Sequence, residues 1–277
     1  MLYKENSLFP VSVVIVTKNE EINIEDALKS VADAKEIIVV DSFSTDRTVD
    51  ICRKYTDKIH QHEWQGFARQ KQTAVDYAEG PWVLILDADE RVTPELKAEI
   101  VSSIANTDYN GFYMPRENYF IGKWIRHSGW WPDHTLRLFK KDKGRLEPRE
   151  VHEKVVVQGS PGYLKNPLKH YTYRSVSDFV ERMERYSTLA ANEIRKNSGR
   201  AGLFSLTIKP LATFMKMYIL RLGLFDGTRG LTKTSVGAGL PILGYGIKPL
   251  ATVPATGIRI PILSLKNSLF SCGINFS

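Results

Sequence analysis

The chain has 277 residues, 43% hydrophobic and 25% charged. That is ordinary globular composition, long enough for a buried core, and it excludes a disordered, collagen-like or disulfide-scaffold protein. The net charge of +7 is unevenly spread: residues 231–277 hold four bases and no acid, so the first 230 residues carry 34 bases against 31 acids, too mild an excess for nucleic-acid binding to be the main function.

Strand and helix patterns alternate through the first 110 residues. Val11–Val16 is a short β-branched run that predicts a buried strand. Ile24, Ala27, Leu28 and Val31 follow at helical spacing, and residues 36–41 (EIIVVD) predict a second strand. Ser44 is a candidate cap for a helix whose inner face holds Val49, Cys52 and Tyr55. Residues 67–78 predict a third helix with Gly80 as its stop, and Trp82–Leu86 a third buried strand. Thr93-Pro94-Glu95 is a strong helix start, followed by Leu96, Ile100 and Ile104 on one face. This alternation predicts an α/β domain with a mostly parallel sheet covered by helices, and ligands bind such sheets beyond the C-terminal strand ends.

Residues 111–172 are rich in Trp, Tyr, His, Arg and Gly, with strand-like pieces at 111–115, 135–139 and 153–157. They suit a substrate-facing segment more than a second core. Residues 175–197 predict an amphipathic helix with Phe179, Met183, Tyr186, Leu189 and Ala190 on one face. Residues 203–221 are apolar with spaced bases, either an interfacial membrane segment or a helix packed on the body. The organisation expected is a main domain over 1–172 (one half about 10–110, the other about 111–172), a helical extension over 173–227 and an irregular tail over 228–277. Cys52 and Cys272 form no metal spacing or disulfide framework, so a reducing, cytoplasmic compartment is expected. The first ten residues carry no signal-peptide pattern, and no stretch reaches 18 apolar residues without a charge.

The chemistry-bearing residues gather at the strand ends. Asp87-Ala88-Asp89 places two carboxylates just past a buried strand, where they can hold a hard cation such as Mg2+ or Mn2+ with positions left for phosphate oxygens. Alone, such a pair is also an ordinary acidic turn. Asp41 ends the preceding strand and can accept from a ribose hydroxyl or a base N–H, and Thr17 and Asn19 end the first. Polar groups at three successive strand ends point jointly to a nucleotide site.

The segments VSVVIVTKNEE, VVDSFSTDRT, WQGFARQKQTA and WVLILDADE, in this order and spacing, resemble family 2 glycosyltransferases, and among them the lipopolysaccharide core β-glucosyltransferase subgroup. The resemblance covers about residues 10–227. It implies a GT-A fold with a C-terminal helical extension, a nucleotide-sugar donor, a divalent metal and inversion at the anomeric carbon. By resemblance, Thr17, Asn19, Glu20 and Asp41 line the nucleoside pocket. Asp87, Ala88 and Asp89 meet ribose and metal, Asp89 being the more direct ligand. Lys71 either approaches the nucleotide or lies on a solvated helix face.

Inverting transfer needs a base for the acceptor hydroxyl. Glu153, in Arg149-Glu150-Val151-His152-Glu153-Lys154, is the first candidate; the alternative for it is a surface carboxylate paired with Lys154. Asp133, in Gly129-Trp130-Trp131-Pro132-Asp133-His134, is the rival. Trp130 and Trp131 either stack on an acceptor sugar or pack in the core. His152 orients the acceptor, and Arg137 either meets a phosphate or pairs with an acid. The QxxRW motif of processive members is absent, so a single transfer is expected. The expected activity moves one hexose from a UDP-glucose-type donor to a lipid-linked saccharide, such as lipopolysaccharide core, with peripheral contact at the inner membrane face. A polyprenyl-phosphate sugar transferase, a non-catalytic nucleotide-sugar-binding protein and a nucleotidyltransferase are the alternatives. After residue 228 the pattern departs from the subgroup: ten Gly or Pro in the last 47 residues argue against a stable helix, and a frameshift or chimeric junction near 228–232 would account for it.

Overall fold

The computed structural model describes residues 9–147, 154–184, 188 and 208–250. Four strands form a parallel half: β1 (Phe9–Thr17), β2 (Ala34–Asp41), β3 (Ile59–Gln61) and β4 (Trp82–Asp87). The sheet continues through β5 (Glu90–Val92), β6 (Gly111–Phe120), β7 (Lys123–Trp124), β8 (Asp133–Lys140), β11 (Gly162–Tyr163) and β12 (Leu168–Tyr173). Its order is β3-β2-β1-β4-β8-β6-β12-β5, with β7 and β11 also paired to β6. Antiparallel β8 joins β4 to β6, which turns a Rossmann-like half into a wider mixed sheet. β9 (Gly144–Glu147) and β10 (Lys154–Val157) form a separate antiparallel ribbon.

Helices cover both faces, which is why the central strands read as unbroken apolar runs. Val11, Val13 and Ile15 share one face with Leu84 and Leu86. There they pack against α1 (Ile24–Ser30), α2 (Thr48–Cys52) and α4 (Pro94–Ala105). Val14, Ile38, Val40, Val83 and Ile85 point the other way, onto α3 (Phe67–Tyr77) and the β9–β10 ribbon. The Thr93 hydroxyl caps α4 by accepting from the Leu96 N–H at 3.1 Å. Ser44 does not cap α2, contrary to expectation. Arg47 takes that place, Ser44 bonds to Asp41 instead, and the buried positions are Thr48, Ile51 and Cys52.

A third apolar cluster joins β6 and β12 to the C-terminal part. Phe120, Ile125 and Tyr173 pack against Phe179 of α5 (176–184), with Trp130, Met183 and Val236 around them. Tyr186, Leu189 and Ala190, expected on the same helix face, lie outside the described residues. Then come α6 (Ile208–Met215), a π-helical turn (Lys216–Leu220), a 3-10 turn (Gly223–Asp226) and α7 (Gly227–Leu250).

The irregular tail expected from residue 228 is therefore corrected: the chain is helical to Leu250, and the expected junction at 228–232 falls inside α7. Tertiary contact overrides poor propensity here. Lys233, Thr234 and Ala238 are buried, and Gly230 serves a close approach: a Cβ there would collide with the Gly223 carbonyl. Residues 251–277 lie outside the described residues. Among those described, no helix is long and apolar enough to cross a membrane.

Candidate active site

The parallel register brings the three strand ends together. Thr17 lies beside Asp41, and Val16 beside Asp87. Asp41 is fully buried and organises the first loop: its carboxylate accepts from the Ser44 N–H at 2.8 Å, the Ser44 hydroxyl and Gln61 Nε2 at 3.2 Å. Asn19 sits at φ 55°, a left-handed conformation that asparagine tolerates, and its carboxamide accepts from the Thr45 N–H at 2.8 Å. The Glu20 N–H donates to the Thr48 hydroxyl and its carboxylate accepts from Asn23 at 2.7 Å. Burial, with the Asp89 charge adding to it, holds the Glu20 carboxyl above its ordinary range. The Thr17 hydroxyl is buried without a hydrogen-bond partner among the described residues, an unusual state for such a group.

Asp87 is held between two buried cations. Lys71 Nζ lies 2.7 Å from Oδ1, and Arg137 Nη2 contacts Oδ2. Burial alone would raise this carboxyl; the charges of Arg137 and then Lys71 outweigh it and hold it well below the usual carboxylate range. Arg137 also donates to Glu90 at 2.9 Å, and Glu90 accepts from the Asp87 N–H at 2.9 Å. Arg116 continues the chain of charges, 3.5 Å from Glu90 and 2.6 Å from Asp133.

Asn118 closes the circle. Its amide nitrogen donates to Asp133 Oδ2 at 3.1 Å, and its oxygen lies 2.6 Å from His170 Nδ1. A carboxylate only accepts, so the Asn118 nitrogen must face Asp133 and its oxygen must face His170. His170 Nδ1 therefore donates to Asn118, and its Nε2 is turned toward Asp89 at 3.5 Å. Burial opposes the Asp89 charge, but His170 wins and lowers its carboxyl. Strand register explains the meeting: His170 is opposite Glu90 on one side and Asn118 on the other. Among the described residues, no three His, Cys, Asp or Glu side chains are grouped so as to hold a metal ion by themselves.

The sequence-derived residues divide accordingly. Thr17, Asn19, Glu20, Asp41, Asp87, Ala88 and Asp89 lie along the strand ends, Lys71 reaches Asp87 from α3, and the Ala88 carbonyl accepts from Arg91 at 2.9 Å. Lys71 is buried, not on a solvated face. Arg137 pairs with acids, Asp87 and Glu90, the second of the two alternatives expected for it. Asp133 is one-third exposed at the other end of the same network. Trp130 stacks on Tyr173 and meets Phe120 edge-on in the third apolar cluster, while Trp131 meets Trp124 edge-on at 5.1 Å. His152 and Glu153 lie outside the described residues. Glu90, Arg116, Asn118 and His170 were not singled out from the sequence. A cleft of about 630 Å³ lined by Arg91, Glu117, Lys169 and Tyr171 belongs to the opposite face, since these residues alternate along their strands with those of the network.

A mostly parallel sheet with aspartates at its strand ends, widened by an antiparallel half, is the GT-A arrangement of glycosyltransferases. Residues 12–172 match the model of Glycosyl transferase family 2, and the chain belongs to that family. It is 30% identical over 238 residues to the lipopolysaccharide core biosynthesis glycosyltransferase LpsC of Rhizobium meliloti, spanning 83% of this chain and 88% of that protein. An uncharacterized glycosyltransferase of Rickettsia conorii is 28% identical over 246 residues, spanning 82% and 85%. Among solved structures, S. aureus TarS 1–349 aligns over 87% of this chain and 91% of its own, with 19% identity and a TM-score of 0.45.

Proposed function

We propose that the chain is a metal-dependent, inverting hexosyltransferase. It moves one sugar from a UDP-glucose-type donor to a lipid-linked saccharide in lipopolysaccharide core assembly, at the cytoplasmic face of the membrane. The observation that carries this is the pairing of Asp89 with the Nε2 side of a His170 ring held at Nδ1 by Asn118, beside an Asp87 already engaged by two cations. Likeness to LpsC supports the acceptor class.

One carboxylate and one imidazole fit Mn2+ or Mg2+ bound jointly with diphosphate oxygens rather than in an all-protein cage. Asp89 and His170 would hold the ion, which supplies charge neutralisation for the departing diphosphate. Asp87 serves better as the anchor of Lys71 and Arg137, because both its oxygens are taken. Asp41, Asn19 and the unpaired Thr17 hydroxyl offer polar groups to the nucleoside. Glu153 takes the acceptor proton, with Asp133 as the other candidate; Arg116 and Asn118 already occupy Asp133 Oδ2, which favours Glu153.

Thermal unfolding of the full chain with UDP-, GDP- and ADP-hexoses, each with Mn2+ or a chelator, tests the donor and metal together. One donor should stabilise by about 2.7 kcal/mol at a hundredfold excess over its Kd, with metal only. Equal stabilisation in chelator would overturn the metal assignment, and none with any donor would overturn the nucleotide-sugar assignment.

A further inference from the structure

The C-terminal extension turns apolar residues outward. Ile208, Leu211 and Met215 lie at helical spacing on the exposed side of α6, and Leu220, Leu224 and Phe225 continue past the π-helical turn. Leu220 is 77% exposed, Phe225 64% and Leu211 61%. Isolated surface leucines need no explanation, but a run of large apolar side chains along consecutive turns marks a surface that meets a partner.

The segment is held firmly to the body by its other side. The Ser128 N–H donates to the Arg221 carbonyl at 2.8 Å, and Lys233 Nζ donates to the Ser128 carbonyl at 2.9 Å. Asp226 accepts from the Arg126 and His127 N–H groups, each at 3.1 Å. The outward apolar face is therefore a fixed feature, not a frayed end.

Charge selects the partner. Residues 208–250 contain six bases and a single acid, Asp226, and that acid is buried. Lys209, Lys216 and Arg221 are exposed among the apolar residues, and the segment 208–226 itself exposes no carboxylate. Apolar side chains with interspersed bases and no acids match the headgroup region of an anionic bilayer, where the chains enter the acyl boundary and the bases meet lipid phosphates. We infer that the surface formed by α6 and the turns at 216–226 docks the protein onto an anionic lipid bilayer. The purpose of this docking rests on the lipid-linked acceptor proposed above. The loop bonded to the surface, 126–130, leads directly to Asp133, so docking would set the acceptor half beside the headgroups.

Flotation of the full chain with vesicles tests this, with neither donor nor acceptor present. The chain should float with phosphatidylcholine–phosphatidylglycerol vesicles, more weakly with phosphatidylcholine alone, and be released by salt. The double variant Leu220→Glu/Phe225→Glu should bind at least about tenfold more weakly, while melting as the wild type and keeping its transfer to a soluble saccharide. Leu211→Glu should give the same loss independently, and Lys216→Gln should reduce the preference for anionic vesicles. Failure of the wild type to float, or flotation undiminished in both apolar variants, would overturn the surface. So would a wild-type dimer that the double variant splits with no vesicle binding, since the face would then belong to a second copy. Intact flotation with no transfer to any saccharide would instead refute the proposed reaction and leave the surface standing.

Discussion

Glu90→Gln is the sharpest test of the charge network. Glu90 is fully buried and its carboxylate serves the Asp87 N–H, Arg137 and Arg116 at once. Glutamine keeps the size and one acceptor oxygen but removes the charge and turns an N–H₂ toward groups that donate. Breaking a buried ion pair costs about 3–5 kcal/mol, and the retained oxygen puts this change at the lower end, about 3 kcal/mol. For a body of this size that is a drop of about 6–12 °C in melting temperature. Asp133→Asn provides the comparison. It breaks a pair whose partners are 34% and 21% exposed, so solvent screening reduces its cost to about 1 kcal/mol. Circular dichroism melting of both variants against the wild type is sufficient. If Glu90→Gln melts within about 2 °C of the wild type, or no lower than Asp133→Asn, the network does not hold the site as described.

Three further outcomes are expected. Asp89→Ala should abolish transfer and Mn2+-dependent donor binding, and His170→Ala should weaken Mn2+ binding at least about tenfold by titration calorimetry; near-normal values in either would remove that residue from the metal site. Glu153→Gln should retain donor binding and lose about 10²–10⁴-fold in kcat, and a loss of that size in Asp133→Asn alone would move the base. Burial pulls the Lys233 ammonium down to about 7 from 10.5, against the opposing charge of Asp226. Between those values the unfolded chain binds the extra proton, so stability from this group rises with pH through the window and its penalty is greatest below it. The melting difference between wild type and Lys233→Met should shift in favour of the wild type from about pH 6 to about pH 9, and a flat or falling difference would contradict the burial.

The donor half was legible because its signals are local. β-branched runs, a Thr-Pro helix start and acids at strand ends each lie within a few residues, and the parallel register aligns the ends without further information. Glu90 could have been noticed as a third acid after Asp87-Ala88-Asp89. Arg137 was visible too, as a lone charge between two buried leucines. His170 was not: HYTY reads as an ordinary strand, and only the pairing of β12 with β5 and β6 brings the histidine to Asp89. α7 was misjudged for the converse reason. Gly and Pro count against a helix in isolation, yet Gly223 and Gly230 are what let the two turns approach, and that packing outweighs propensity. The Asp226 carboxylate, which anchors the loop at 126–127, gives no local sign of a partner a hundred residues away.

The third apolar cluster has a practical consequence for how this chain can be divided. The family match ends at residue 172, yet Phe120 and Tyr173 are covered from beyond that limit by Phe179, Met183 and Val236. Cutting the chain at the family boundary would strip the lid from an aromatic core and free the loop that leads to Asp133. The segment that defines the family is shorter than the unit that packs together, and the excess is fastened to the end of the sheet that carries Asn118 and Asp133.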